Sequence, residues 1–120
     1  VEKVKNAQGL IVGGPVYWGA VRAELMIALQ RLAMASMQQG NFLSRMVGGP
    51  MVTARRGGMT SSLNEMLMFF LSNDMIVPGS SYWNMVMGQA PGSALKDEEG
   101  MNTMVRFSEN VAYLINQMEK

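Results

Sequence analysis

Three short segments carry the side chains of this chain best suited to binding chemistry. Residues 13–19 read Gly-Gly-Pro-Val-Tyr-Trp-Gly, residues 53–58 read Thr-Ala-Arg-Arg-Gly-Gly, and residues 78–84 read Pro-Gly-Ser-Ser-Tyr-Trp-Asn. In the first, glycine lets the backbone approach a ligand, Pro15 stiffens the turn, and Tyr17 and Trp18 offer wide flat faces to a planar heteroaromatic ligand. The same two rings could instead fold back over the core or form a subunit interface, and their spacing does not separate these readings. In the second, Arg55 and Arg56 precede Gly57-Gly58 at a predicted helix start. Backbone amides and fixed positive charge there would stabilise an anion, either phosphate or negative charge developing on a reduced ring. Two solvated arginines beside a turn would read the same way. The third segment repeats the aromatic pair at Tyr82 and Trp83, which predicts an aromatic-walled cleft or a paired interface that encloses one.

Composition narrows the chemistry these segments could perform. The 120 residues contain no cysteine and no histidine. They therefore hold no disulfide framework, no thiolate nucleophile, no Ser-His-Asp relay and no ordinary zinc or iron-sulfur ligand set. Difficult chemistry must come from a cofactor. Ten basic against nine acidic residues give a net charge of +1, and no basic run exceeds the pair Arg55-Arg56, so neither nucleic acid nor an anionic membrane is indicated as a partner. No apolar run approaches the ~20 residues of a membrane span, and the reading is a cytoplasmic domain. The 14 methionines are scattered rather than convergent and read as flexible fillers of core and interface gaps. No Gly-x-x-x-x-Gly-Lys-[Ser/Thr] phosphate loop occurs.

The elements that must position the three segments follow from periodicity. Residues 1–7 read as the end of a helix. Leu10-Ile11-Val12, closed by Gly13-Gly14-Pro15, reads as a strand buried on both faces. Val21, Leu25, Ala28, Leu29 and Leu32 fall at helical spacing, and Gly40 and Asn41 end that pattern. Met46 to Thr53 reads as a second buried strand, although Gly48-Gly49-Pro50 should weaken its ladder. Ser62 and Glu65 fit a capping box ahead of a helix whose apolar face is Leu63, Met66, Leu67, Phe70 and Leu71. Met75-Ile76-Val77 reads as a third strand stopped by Pro78-Gly79. A last helix carries Met101, Met104, Val105, Ser108, Val111, Ala112 and Ile115 on one side, with Asp97, Glu98 and Glu99 as a solvated helix start. Strands alternating with helices predict a single α/β domain with a parallel sheet. Ligands of such sheets sit beyond the carboxyl ends of the strands, where the loops 13–20, 53–61 and 78–87 are expected.

Residues 9–31, 52–58 and 75–88, read together, resemble the flavodoxin-like family of NAD(P)H-dependent FMN reductases, in particular the branch that includes the iron-sulfur flavoproteins. The resemblance runs over nearly the whole chain. It implies a flavodoxin-like three-layer fold in which the strands seen here are the family's third, fourth and fifth. The family's first loop commonly reads Ser-Pro-Val-Tyr-[Phe/Trp]-Gly and packs along the isoalloxazine ring, so Pro15, Val16, Tyr17, Trp18 and Gly19 would hold FMN. Thr53, Ala54, Arg55, Arg56, Gly57 and Gly58 would form the second flavin-side loop, and Ser81, Tyr82, Trp83 and Asn84 would lie on the substrate side. Gly14 stands where the family usually has serine. The family's first two strands and its phosphate loop have no counterpart here, which implies that a longer protein begins upstream. The implied activity is hydride transfer from NAD(P)H through FMN to a quinone, a flavin or a similar small acceptor, with no protein acid or base. An electron carrier with a protein partner, or a flavin-free α/β association module, are the alternatives. Exposed aromatics and surplus methionine further predict a homodimer or homotetramer.

Overall fold

The two longer apolar runs, 10–12 and 46–53, pair with each other and extend further than their side chains alone suggest. In the computed structural model, which describes residues 1–118, β1 runs over Gly9–Tyr17 and β3 over Val47–Ala54. They lie parallel from Gly9 opposite Val47 to Pro15 opposite Thr53. A short β2, Ala20–Val21, folds back antiparallel on the end of β1, and β4, Met85–Met87, joins the far side of β3 in parallel. The sheet order is β2-β1-β3-β4. The helices are α1 (Glu2–Lys5), α2 (Ala23–Gln38), α3 (Met59–Ser72) and α4 (Glu98–Met118), with a 3-10 turn at Ser93–Lys96.

The sheet is the middle of three layers, as in a flavodoxin-like fold. On one face Val12 and Val52 meet Leu29 of α2 and Met66, Phe69 and Phe70 of α3 in one apolar cluster. Phe69 and Phe70 pack edge to face at 5.2 Å. On the other face Phe107 and Val111 of α4 cover Val47, with Leu114 and Ile115 beside them. Among the described residues no helix is long and apolar enough to cross a membrane.

Several sequence expectations are corrected by this packing. The Gly13-Gly14-Pro15 triplet does not stop β1, because the absent side chains make room for neighbours rather than for a turn. A Cβ on Gly14 would lie 2.5 Å from Leu25 Cδ2, so α2 sits directly on that backbone. A side chain at position 14, serine included, would therefore point into α2. Nor is β1 buried on both faces: Val12 and Gly14 are buried while Ile11 and Gly13 are exposed. Gly48-Gly49-Pro50 lies in the central strand. Gly48 has backbone of Leu10 where a Cβ would be, and a Cβ on Gly49 would stand 3.0 Å from the Phe107 ring, so glycine is what allows β1 and α4 to close on β3.

Pro50 explains the fate of the third strand. Along β3 the groups facing the next segment alternate, with Gly48 N donating to Ile76 O at 3.0 Å and Val52 N to Asn84 O at 3.0 Å. Pro50, midway between, has no N–H to give. The expected strand 75–77 thus makes a single bridge, Ile76 to Val47, and the chain leaves the sheet until β4. The capping box also fails: α3 starts at Met59 after a left-handed Gly58 (φ 77°), which places Ser62 inside the helix with its hydroxyl buried and unpaired. Glu65 instead accepts the Val21 N–H at 3.4 Å. On α4 the buried face is Gly100, Thr103, Met104, Phe107 and Val111, leaving Val105, Ser108 and Ala112 exposed.

Candidate functional site

The register that pairs Pro15 with Thr53 and Thr53 with Val86 brings the carboxyl ends of β1, β3 and β4 to one edge, where the chain must turn three times side by side. The first turn is a two-residue hairpin rather than an open loop, so Pro15, Val16 and Tyr17 belong to β1. Trp18 (φ 53°) and Gly19 (φ 80°) both take positive φ, the signature of the tight turn whose twist suits a hairpin. The Trp18 side chain is fully exposed and Tyr17 is 57% exposed. The hairpin is held against α3: Ser61 Oγ donates to Gly19 O at 2.9 Å, and a Cβ on Gly58 would lie 2.8 Å from Gly19 Cα and 2.8 Å from Val16 Cγ1.

Thr53 and Ala54 end β3, and Arg55, Arg56 and Gly57 form an exposed bend that leads to the first turn of α3. The first N–H groups of a helix have no partner inside it and carry the positive end of its dipole. The third segment departs from its expected position. Because the ladder breaks at Pro50, residues 78–84 leave the sheet alongside the middle of β3, and it is Gly88–Asp97 that follows β4 at the edge. Tyr82 and Trp83 nevertheless reach the second turn, their rings stacked at 4.8 Å and tilted by 33°.

A cleft of about 340 Å³ lies between these groups. Of the residues singled out from the sequence, Arg56, Gly57, Gly58, Tyr82 and Trp83 line it. Pro15, Val16, Tyr17, Trp18 and Gly19 do not line it, although Val16 and Gly19 lie against Gly58, and Thr53, Ala54, Arg55, Ser81 and Asn84 lie outside the cleft wall as well. The rest of the wall is new: Met59 and Thr60 from α3, Met85 and Met87 from β4, and Asp97, Glu99, Gly100 and Thr103 from the start of α4.

Asp97 builds that last wall. Its carboxylate accepts the Met87 N–H at 2.7 Å and the Gly100 N–H at 3.1 Å, so it caps α4 and ties it to the end of β4. These bonds, that from Met87 foremost, hold the Asp97 carboxyl below the ordinary aspartate range. The signal was in the sequence, since an aspartate three residues ahead of Gly100 fits a helix cap. Without the fold, Asp97 reads as part of a solvated acidic run with Glu98 and Glu99.

The cleft fits the ring end of a planar cofactor. Two stacked aromatics and three methionines give it apolar, polarisable walls, and Arg56 stands with the α3 amides at one rim. Gly57 is the most telling position. A Cβ there would meet nothing within 4 Å and its φ is not left-handed, so the protein's own packing does not require glycine, whereas a flat ring laid on that backbone would. Asp97 and Glu99 on the opposite wall would repel a phosphoryl group, which must be held away from α4. Among the described residues no three histidine, cysteine, aspartate or glutamate side chains converge as a metal site.

Comparison with known proteins shows the family and the fold. Residues 1–90 match the sequence profile of the NADPH-dependent FMN reductase family. The chain is 32% identical over 127 residues to an iron-sulfur flavoprotein of Methanocaldococcus jannaschii, covering all of this chain. It is 23% identical over 129 residues to an iron-sulfur flavoprotein of Archaeoglobus fulgidus, covering 98% of this chain. It spans 65% of the length of each of these relatives. A crystal structure of a flavodoxin, WrbA-like protein from Agrobacterium tumefaciens superposes with a TM-score of 0.68 at 16% identity, over 97% of this chain and 71% of that one, which places the fold.

Proposed function

Because the chain belongs to the NADPH-dependent FMN reductase family, we propose that it is a cytoplasmic FMN-dependent oxidoreductase that takes hydride from NADPH or NADH and passes electrons to a small acceptor such as a quinone or a second flavin. Bound FMN supplies the redox chemistry. The chain's own residues bind, orient and stabilise charge. Gly57 and Gly58 offer flat backbone to the ring, with Pro15–Gly19 and Thr53–Arg55 completing the flavin-side surface. Arg56 and the first-turn amides of α3 offset negative charge on the reduced ring. Ser81, Tyr82, Trp83 and Asn84 lie on the side from which nicotinamide and acceptor approach. No side-chain acid or base is asked to move a proton, in keeping with a sequence that has no histidine. The relatives' names include an iron-sulfur centre, but these 120 residues hold no cysteine and so supply no thiolate ligand to a cluster.

The open position at Gly57, beside Arg56 and facing the Tyr82-Trp83 pair across one cleft, is the observation that carries this reading. A net charge of +1 also favours an enzyme over an acidic electron carrier. The test is an FMN titration followed by oxidation of NADPH with a soluble quinone. Flavin binding and quinone-dependent turnover are expected; a protein that takes up no FMN contradicts the reading.

A further inference from the structure

The stacked Tyr82-Trp83 pair has a cavity on each side. One is the cleft above. The other is an open recess of about 170 Å³ under the segment that leaves the sheet at Pro50, walled by Pro50, Leu63, Leu67 and Val77 and sharing Tyr82 and Trp83 with the cleft. The two differ in chemistry. The cleft has a cation, two carboxylates and helix-start amides at its rim, whereas the recess offers a ligand almost nothing polar. Apart from the rims of the two aromatics, its polar side chains are Ser80 and Asn84, and both are already engaged: Ser80 Oγ lies 2.5 Å from Tyr82 O and 2.7 Å from Asn84 Oδ1, and Asn84 Nδ2 donates to Pro50 O at 3.1 Å.

We infer that the recess is a subsite for an aliphatic chain borne by an acceptor ring that rests on Tyr82 and Trp83 at the mouth of the flavin cleft, so that the preferred acceptor is a flat quinone-type ring carrying a short alkyl or isoprenoid substituent. This rests on the oxidoreductase reading. The shared aromatic wall places the recess next to any ring that rests on Tyr82 and Trp83. Its volume is near that of a cavity that takes up benzene, room for about five or six carbons, or one isoprene unit. A chain in it leaves water for Leu63, Leu67 and Val77 without stranding a polar group, which is the condition for favourable burial.

The test compares a benzoquinone bearing only methyl groups with the same ring bearing one five-carbon isoprenyl chain, using the flavin-loaded chain. The isoprenyl quinone should show a KM about tenfold lower at similar kcat. Leu67→Phe, which fills the recess without entering the cleft, should erase that advantage and leave the methylated ring's KM unchanged. Val77→Leu, a smaller addition to the same wall, serves if Leu67→Phe does not fold. Equal KM values for the two quinones in the unaltered protein overturn the inference while leaving the oxidoreductase reading intact. If neither ring is reduced, that reading fails instead, and a second measurement decides the recess by itself. In a Trp18→Phe background Trp83 is the sole tryptophan, and titration with butylbenzene should change its emission saturably unless Leu67→Phe is present. An unchanged emission overturns the subsite.

Discussion

At φ 53° Trp18 occupies the first central position of a turn in which both central residues need positive φ, while its ring, fully exposed, gains no packing in return. Such backbone strain in a non-glycine residue costs on the order of 1 kcal/mol and concentrates at functional sites. Trp18→Asn, which creates the Asn-Gly pair this turn prefers, should therefore raise stability to urea by about 1 kcal/mol and weaken FMN binding. A variant that binds FMN as well as the parent would deny Trp18 its role. Asp97 gives a pH prediction. Its folded-state carboxyl titrates below the ordinary range because Met87 and Gly100 donate to the ionised form, so the unfolded chain binds the proton first as acid is added. The stability it contributes is complete above the ordinary aspartate pKa and is lost as pH falls through the lower folded value. Asp97→Ala should lower the urea midpoint at pH 7 and flatten its decline below about pH 4. A midpoint that falls as steeply in the variant contradicts the assignment. The aromatic and arginine types at 17, 18, 55, 56, 82 and 83 could be read from the sequence. The turn at Trp18 could not, since Trp-Gly carries none of the usual hairpin signal.

Between elements, the joint of β4 with α4 forms the cleft wall that periodicity did not reveal. Gly100 is buried there, and a Cβ would run into the Asp97 carboxylate and stand 2.9 Å from Met85 O. Gly100→Ala should displace Asp97, separate α4 from β4 and destabilise the fold by about 1–3 kcal/mol. A thermal midpoint unchanged from the parent would mean that the joint yields without loss. The strands at 10–12 and 46–53 and all three long helices were legible because apolar spacing reports burial directly. What escaped reading depended on partners distant in sequence. Gly14 is set by Leu25, Gly49 by Phe107, and the break after Ile76 by the missing N–H of Pro50 (26 or more residues earlier in the chain). A local window sees Gly-Gly-Pro as a stop and cannot see the helix that needs the space.

Across the whole molecule, the three-layer order could be anticipated from alternating elements, but the sheet edge and the helix exteriors raise a question of assembly. Among the described residues, β2 pairs only with Val16 and Tyr17, so most of β1 is hydrogen-bonded on one side alone. Ile27, Met34 and Met37 of α2 and Met68 of α3 are more than half exposed. Unpaired edges and apolar exteriors favour association, and we propose a homodimer or homotetramer. Sedimentation at micromolar concentration should show a species at a multiple of 13.2 kDa; a monomer there counts against it. The central claim is that the turn leaving β3, with the Tyr82-Trp83 pair in the same cleft wall, holds a flavin ring against bare backbone. Gly57→Val tests it most directly, because a Cβ at that position stands in open space with no protein atom within 4 Å, and Gly57 lines the cleft. Flavin fluorescence titration should show FMN bound by the parent and bound at least tenfold more weakly by Gly57→Val, with circular dichroism unchanged. Equal affinity in the two proteins, or no binding by the parent, would contradict the account.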